Sequence, residues 1–144
     1  MTSTDIIAIH RRYNDEVINQ GDVNLIDLIF TLDYVDHFAG GPDIPGPAAL
    51  KQFVGMFRHA FPDTQFTVDD RIVDGNRIAV RWTMRGTHQG EFQGIPPTGK
   101  SVTVTGIAIH RFAGDRIQES WDCYDALGLL QQLGAIPTSG QAAS

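Results

Sequence analysis

The chain has 144 residues, 42% hydrophobic and 19% charged, a balance that builds one packed domain and leaves no room for a second. Its net charge is −6 and its Lys and Arg are scattered, which excludes nucleic acid as a partner, because phosphate recognition needs clustered basic residues. The single cysteine, Cys123, excludes an internal disulfide, no apolar run is long enough to span a bilayer, and the start MTSTDIIAIHRR reverses the order of a secretory signal.

These features predict a cytoplasmic domain over 1–137 with no membrane partner and a frayed tail over 138–144. Ser3 or Thr4 can cap a first helix, which carries Ile6, Ile9, Tyr13, Val17 and Ile18 along one stripe. DVNLIDLIF reads as a short second helix, LDYVDHF as extended, and GGPDIPGP as a loop. Pro47 suits the first position of a third helix, whose apolar face is Leu50, Phe53, Val54, Met56, Phe57 and Phe61. From Gln65 the apolar period changes to two. QFTVDDRIVD and RIAVRWTMRGTH form a hairpin across Asp74-Gly75-Asn76, with Ile78, Val80, Trp82, Met84 and His88 on one face. GEFQGIPPTGK is a loop, SVTVTGIAIHRF and RIQESWDCYD form a second hairpin, and ALGLLQQLG closes the chain as a helix. Helices segregated from a four-strand antiparallel meander mean α+β, with a curved sheet wrapped around a helix to leave an open-ended cone.

Asp122 stands out because aspartate is depleted in strands. With the turn at Gly114-Asp115, Phe112 pairs with Ile117 and Ile107 with Asp122, which puts Asp122 beside Ile107 and Ile109. A bulge would shift this by one. Trp121 and Cys123 then share the other face, where Cys123 packs. Asp122 is either a solvated edge charge or a carboxyl whose pKa is raised by apolar surroundings into the range useful for acid–base work. His88 falls where strand gives way to loop, as pocket rim or loop anchor, and His37 is equally cavity lining or loop anchor. His110 shares a face with Val104, Ala108 and Phe112, while His10 and His59 read as solvated. No spacing suggests a metal site. Phe53, Phe57, Trp82, Met84 and Trp121 belong to an aromatic and Met supply larger than a small core needs, which suits a flat, apolar, oxygenated ligand.

GTHQGEFQGIPPTGK, RIQESWDCYDALGLLQQLG, and VDHF before a Gly/Pro loop together resemble the SnoaL-like polyketide cyclases, or ester cyclases, over nearly the whole chain. The resemblance implies a nuclear-transport-factor-2-like cone assembled as a homodimer or homotetramer. It also implies an Asp in the last strand acting as acid/base in the intramolecular aldol closure of a small-molecule ester, with no metal or cofactor. That Asp matches Asp122. A histidine of the family on the preceding strand aligns with Ala108, so His110, His88 or His37 would have to replace it. The resulting candidate set is Asp122 and His88 as catalytic residues, with His37, Phe53, Phe57, Trp82, Met84, His110 and Trp121 binding substrate. The same fold also carries hydroxylases, epoxide hydrolases, dehydratases, isomerases and binding domains. The water-activating ones usually need a second carboxylate, and Asp125 lies on the wrong parity to supply it.

Overall fold

Thr2, one residue ahead of the expected caps, starts α1 (Ser3–Arg12) in the computed structural model, which describes residues 1–137; the tail expected over 138–144 lies outside the described residues. The Thr2 hydroxyl accepts from the Asp5 N–H and the Asp5 carboxylate accepts from the Thr2 N–H, a reciprocal cap. α1 continues into a wider π-helical turn, Tyr13–Ile18, in which the Asn19 N–H bonds the Asn14 carbonyl at 3.1 Å. The turn is pinned to the sheet by Asn14 and Asn19, whose side-chain amides donate to the Phe66 carbonyl at 3.1 and 2.9 Å.

The expected second helix is shorter than DVNLIDLIF. A 3-10 turn, Val23–Leu25, leads into α2 (Ile26–Ile29), and Phe30 already opens β1 (Phe30–Phe38). Tertiary burial sets this boundary: Phe30, Tyr34 and Asp36 point inward at strand parity. A short β2 (Ile44–Pro45) leads into α3 (Gly46–Ala60), with Pro47 in its first turn as expected. β3 (Gln65–Asp74), β4 (Arg77–Thr87), β5 (Ser101–Ala113) and β6 (Arg116–Tyr124) form the expected meander, and α4 (Ala126–Gln132) closes the described chain. The sheet has six strands in the order β2-β1-β6-β5-β4-β3. Among the described residues only β1 against β6 is parallel, so a strand from the start of the chain lies beside β6.

Phe112 does pair with Ile117, but Arg111 pairs with Glu119, so Gln118 is bulged out of the ladder. One extra residue exchanges the faces of everything beyond it. Asp122 therefore opposes Ala108 and shares the concave face with His110 and Ser120, while Ile107 and Ile109 lie on the convex face, 55% and 39% exposed. This corrects the register expected from the turn alone. The core divides into one cluster around Tyr13, Phe30, Tyr34, Ile78 and Phe112, and another around Phe61, Met84, Phe92 and Leu129. Trp82 packs against both.

Candidate active site

A cavity opens between the α1 end, α3 and the concave face of the sheet. It holds about 1050 Å³ of atom-free space, its open mouth included. Its walls are largely apolar, with Phe38, Phe53, Phe57, Phe66, Trp82 and Met84 among them. Trp82 can lie there because its cross-strand partner is Gly106, where a Cβ would collide with the indole. Met56, expected on the buried face of α3, is exposed and lines the cavity.

The polar groups gather at one end. Asp36, Ser120, His110 and Ile78 stand side by side in one row across β1, β6, β5 and β4. Phe38, Asp122, Ala108 and Val80 form the next row. Asp36 is 4% exposed, and its Oδ1 has no hydrogen-bond partner. Asp122 is part-exposed to the cavity. The two carboxyls are close enough to share a hydrogen bond. Burial, the shared hydrogen bond and the Asp36 charge raise Asp122 well above the usual carboxylate range. Asp36 is also raised, chiefly by burial, against the hydrogen bonds from Asp122 and Tyr34 and the charge of His37. Two carboxyls this close cannot both ionise easily, so the pair retains a proton where a solvated aspartate would not.

His110 Nδ1 lies 2.5 Å from Ser120 Oγ, and burial lowers its pKa to about 4. His10 packs against it with ring centroids 5.3 Å apart and is likewise buried and held well below the ordinary histidine value, first by burial, then by His110 and Arg71. This corrects the reading of His10 as solvated: its face of α1 closes the cone. Tyr13, turned inward by the π-helical turn, is kept protonated by burial and by the nearby Asp122 and Asp36. Arg58 is the one cation on the cavity wall among the described residues, and its Nη1 donates to the Ile18 and Asn19 carbonyls at 2.8 Å. The site can therefore store and hand over a proton at a carboxyl pair, and it presents neutral imidazole and phenol groups to an oxygenated ligand.

Residues 8–133 match the family model for SnoaL-like polyketide cyclases. The chain belongs to that family. Over 135 residues it is 26% identical to aklanonic acid methyl ester cyclase DnrD of Streptomyces peucetius, covering 92% of each chain. It is 30% identical over 90 residues to nogalonic acid methyl ester cyclase of Streptomyces nogalater, covering 62% of this chain and 67% of that one. Its fold superimposes on the crystal structure of AclR from Streptomyces galilaeus, a provisionally assigned hydroxylase, with a TM-score of 0.85 at 27% identity, covering 97% of this chain and 87% of AclR.

Measured against the residues expected in this SnoaL-like chain, the structure brings Phe53, Phe57, Trp82, Met84, His110 and Asp122 to the cavity and keeps three others away. His88 is sealed in the core against Phe61, and its Nδ1 accepts from the Thr98 N–H at 3.2 Å, so it anchors the 88–100 loop. Trp121 is 38% exposed on the convex face, because the bulge at Gln118 turned Asp122 inward and its neighbours outward. His37, on the same face, packs against Trp121 at a tilt and is held between Asp43 at 3.1 Å and Glu119 at 2.7 Å. Asp36, Tyr34, Ser120, Tyr13 and His10 escaped the sequence reading. The parity of DYVDHF, with Tyr34, Asp36 and Phe38 alternating, was a usable signal for Asp36. The parallel contact of β1 with β6 had none.

Proposed function

We propose that this SnoaL-like protein is a cofactor-independent cyclase that closes a ring by intramolecular aldol addition within an apolar, oxygenated polyketide ester, with Asp122 as general acid and base. The observation that carries this reading is a carboxyl of raised pKa, open to a mostly apolar cavity, next to a second carboxyl. Asp122 removes a proton α to a carbonyl, the enolate carbon attacks a second carbonyl of the same molecule, and Asp122 returns the proton to the new alkoxide. The aromatic walls hold the substrate folded, so proximity supplies much of the rate. His110 and Tyr13, both uncharged, are in position to donate to carbonyl oxygens. The methyl ester cyclases among the relatives make aklanonic acid methyl ester the first probe. Asp122→Asn is expected to lower kcat/KM by about 10²- to 10⁴-fold with an unchanged circular dichroism spectrum. Wild-type turnover in that variant overturns the reading.

Asp36 also favours a second reading, in which the carboxyl pair activates water, as in hydration or epoxide opening. Reaction in ¹⁸O-water separates the two: the aldol closure leaves the product mass unchanged, whereas hydration adds the label. The homodimer or homotetramer implied by the resemblance is supported by the exposed Ile107, Ile109 and Trp121 on the convex face, and light scattering reads it.

A further inference from the structure

We propose, on the reading that Asp122 is the acid–base group, that Asp36 is its proton-storing partner, taking the shared proton while Asp122 acts as base and giving it back while Asp122 acts as acid. The sheet makes this arrangement specific. Directly across β5 from Asp122 is Ala108, whose methyl can neither hold nor donate a proton. On its other side, on β1 and one row away, is Asp36, buried, with one oxygen unpartnered. Among the described residues no cation forms an ion pair with either carboxyl. His37 points to the other face of β1 and is held by Asp43 and Glu119, Arg58 is turned to the Ile18 and Asn19 carbonyls, and Arg71 to His10.

The groups facing the pair are Tyr13 from the π-helical turn, His10 from α1, Tyr34 from β1, His110 from β5 and Ser120 from β6, while Cys123 lies exposed on the other face of β6. Tyr34 lies beside Asp36, and Ser120, in the same row, bonds His110, so the carboxyl away from the ligand is backed by buried hydroxyls. Asp122 has no such support; its one hydrogen-bonded neighbour among the ionisable groups is Asp36.

The proton balance closes without another reactant. In the resting pair one proton lies between the two carboxyls. It moves to Asp36, and the ionised Asp122 then takes the α-hydrogen: the C–H bond breaks, an O–H bond forms on Asp122, and the electron pair stays on the enolate. After the C–C bond forms, Asp122 protonates the alkoxide, and the Asp36 proton returns to the shared position. Without a partner able to accept its proton, Asp122 would have no neighbouring group through which to reach the ionised form that acts as base. Asp36 does not touch the reacting carbon in this scheme. It is a positioning residue that acts through Asp122.

Two measurements test it. In wild-type protein with ¹³C-labelled carboxyls, Asp36 and Asp122 are expected to show the same two titration steps, because coupled groups titrate as a pair. In Asp36→Asn, Asp122 is expected to titrate in one step lying between those two, and kcat to fall roughly 10- to 100-fold with KM little changed, a share of what acid–base catalysis supplies. The wild-type titration needs no variant, so a folding failure of Asp36→Asn does not protect the idea. Independent single steps at ordinary carboxylate values overturn it. So does an unaltered Asp122 titration and kcat in Asp36→Asn while Asp122→Asn is inactive, an outcome that leaves the acid–base reading standing. Full turnover by Asp122→Asn overturns both.

Discussion

The concave and convex faces of the sheet carry the same residue types and put them to opposite states. On the convex face, Glu119 is lowered by bonds from Arg111 and His37, and His37 is raised by Glu119 and Asp43. On the concave face of the same strands, Asp36 and Asp122 are raised and His110 is lowered. Convex charges are paired at the solvent boundary, so each charged form is favoured. Concave groups are desolvated without a counter-ion, so each neutral form is favoured. A carboxyl that keeps its proton and an imidazole that stays neutral are useful to a reaction that passes protons. A solvated ion pair is not.

Removing the concave carboxyl should give the largest effect. Asp122→Asn is expected to lose about 10²- to 10⁴-fold in kcat/KM while the folded protein gains stability at neutral pH. The sign follows from the raised pKa. The folded chain holds a proton that the unfolded chain releases, so stability falls as pH climbs from the ordinary carboxylate range toward the raised value. Denaturant titrations at mildly acidic and at neutral pH should show that slope in the wild type and a shallower one in the variant, where Asp36 is still raised by burial.

His110 tilts stability the other way. Its pKa is about 4 in the folded chain against an ordinary 6.5, so its contribution is intact above 6.5 and is lost as pH falls toward 4. The full loss is of order 3 kcal/mol. His110→Gln should flatten the acid arm of the stability curve; an unchanged arm would mean that His110 is solvated.

Next comes binding. Phe53→Ala removes an aromatic wall of the cavity and is expected to raise KM about tenfold with a smaller change in kcat. The smallest effect belongs to the convex face. His37→Ala breaks two ion pairs that are open to water, so no measurable change in melting temperature or turnover is expected. A large loss of turnover there would break the contrast between the faces.

Much of the fold was legible because it is local. The helical stripe ending at Ile18, Pro47 in the first turn of α3, the turn at Gly75 and the alternation of β4 and β5 need only a few neighbouring residues to be expressed. Parity also sent Trp82, Met84 and His110 to the cavity. His88 shares that parity, but the strand gives way to the 88–100 loop, which folds back and encloses its ring.

Sequence by itself determined the α+β order, the meander, the aromatic walls and, through resemblance, the importance of Asp122. Tertiary structure decided what Asp122 faces. One bulged residue, Gln118, turned it from the isoleucines of the convex face to the cavity, and the parallel seating of β1 beside β6 put Asp36 next to it. The second outcome depends on a pairing between segments some eighty residues apart, as in the His37 to Glu119 contact, whose separation is 82, whereas the first is a bulge within one hairpin that the turn position alone does not reveal. Hydrophobic periodicity says which way a side chain alternates. It does not say which strand will lie beside it, because that choice is made by the packing of the whole cone.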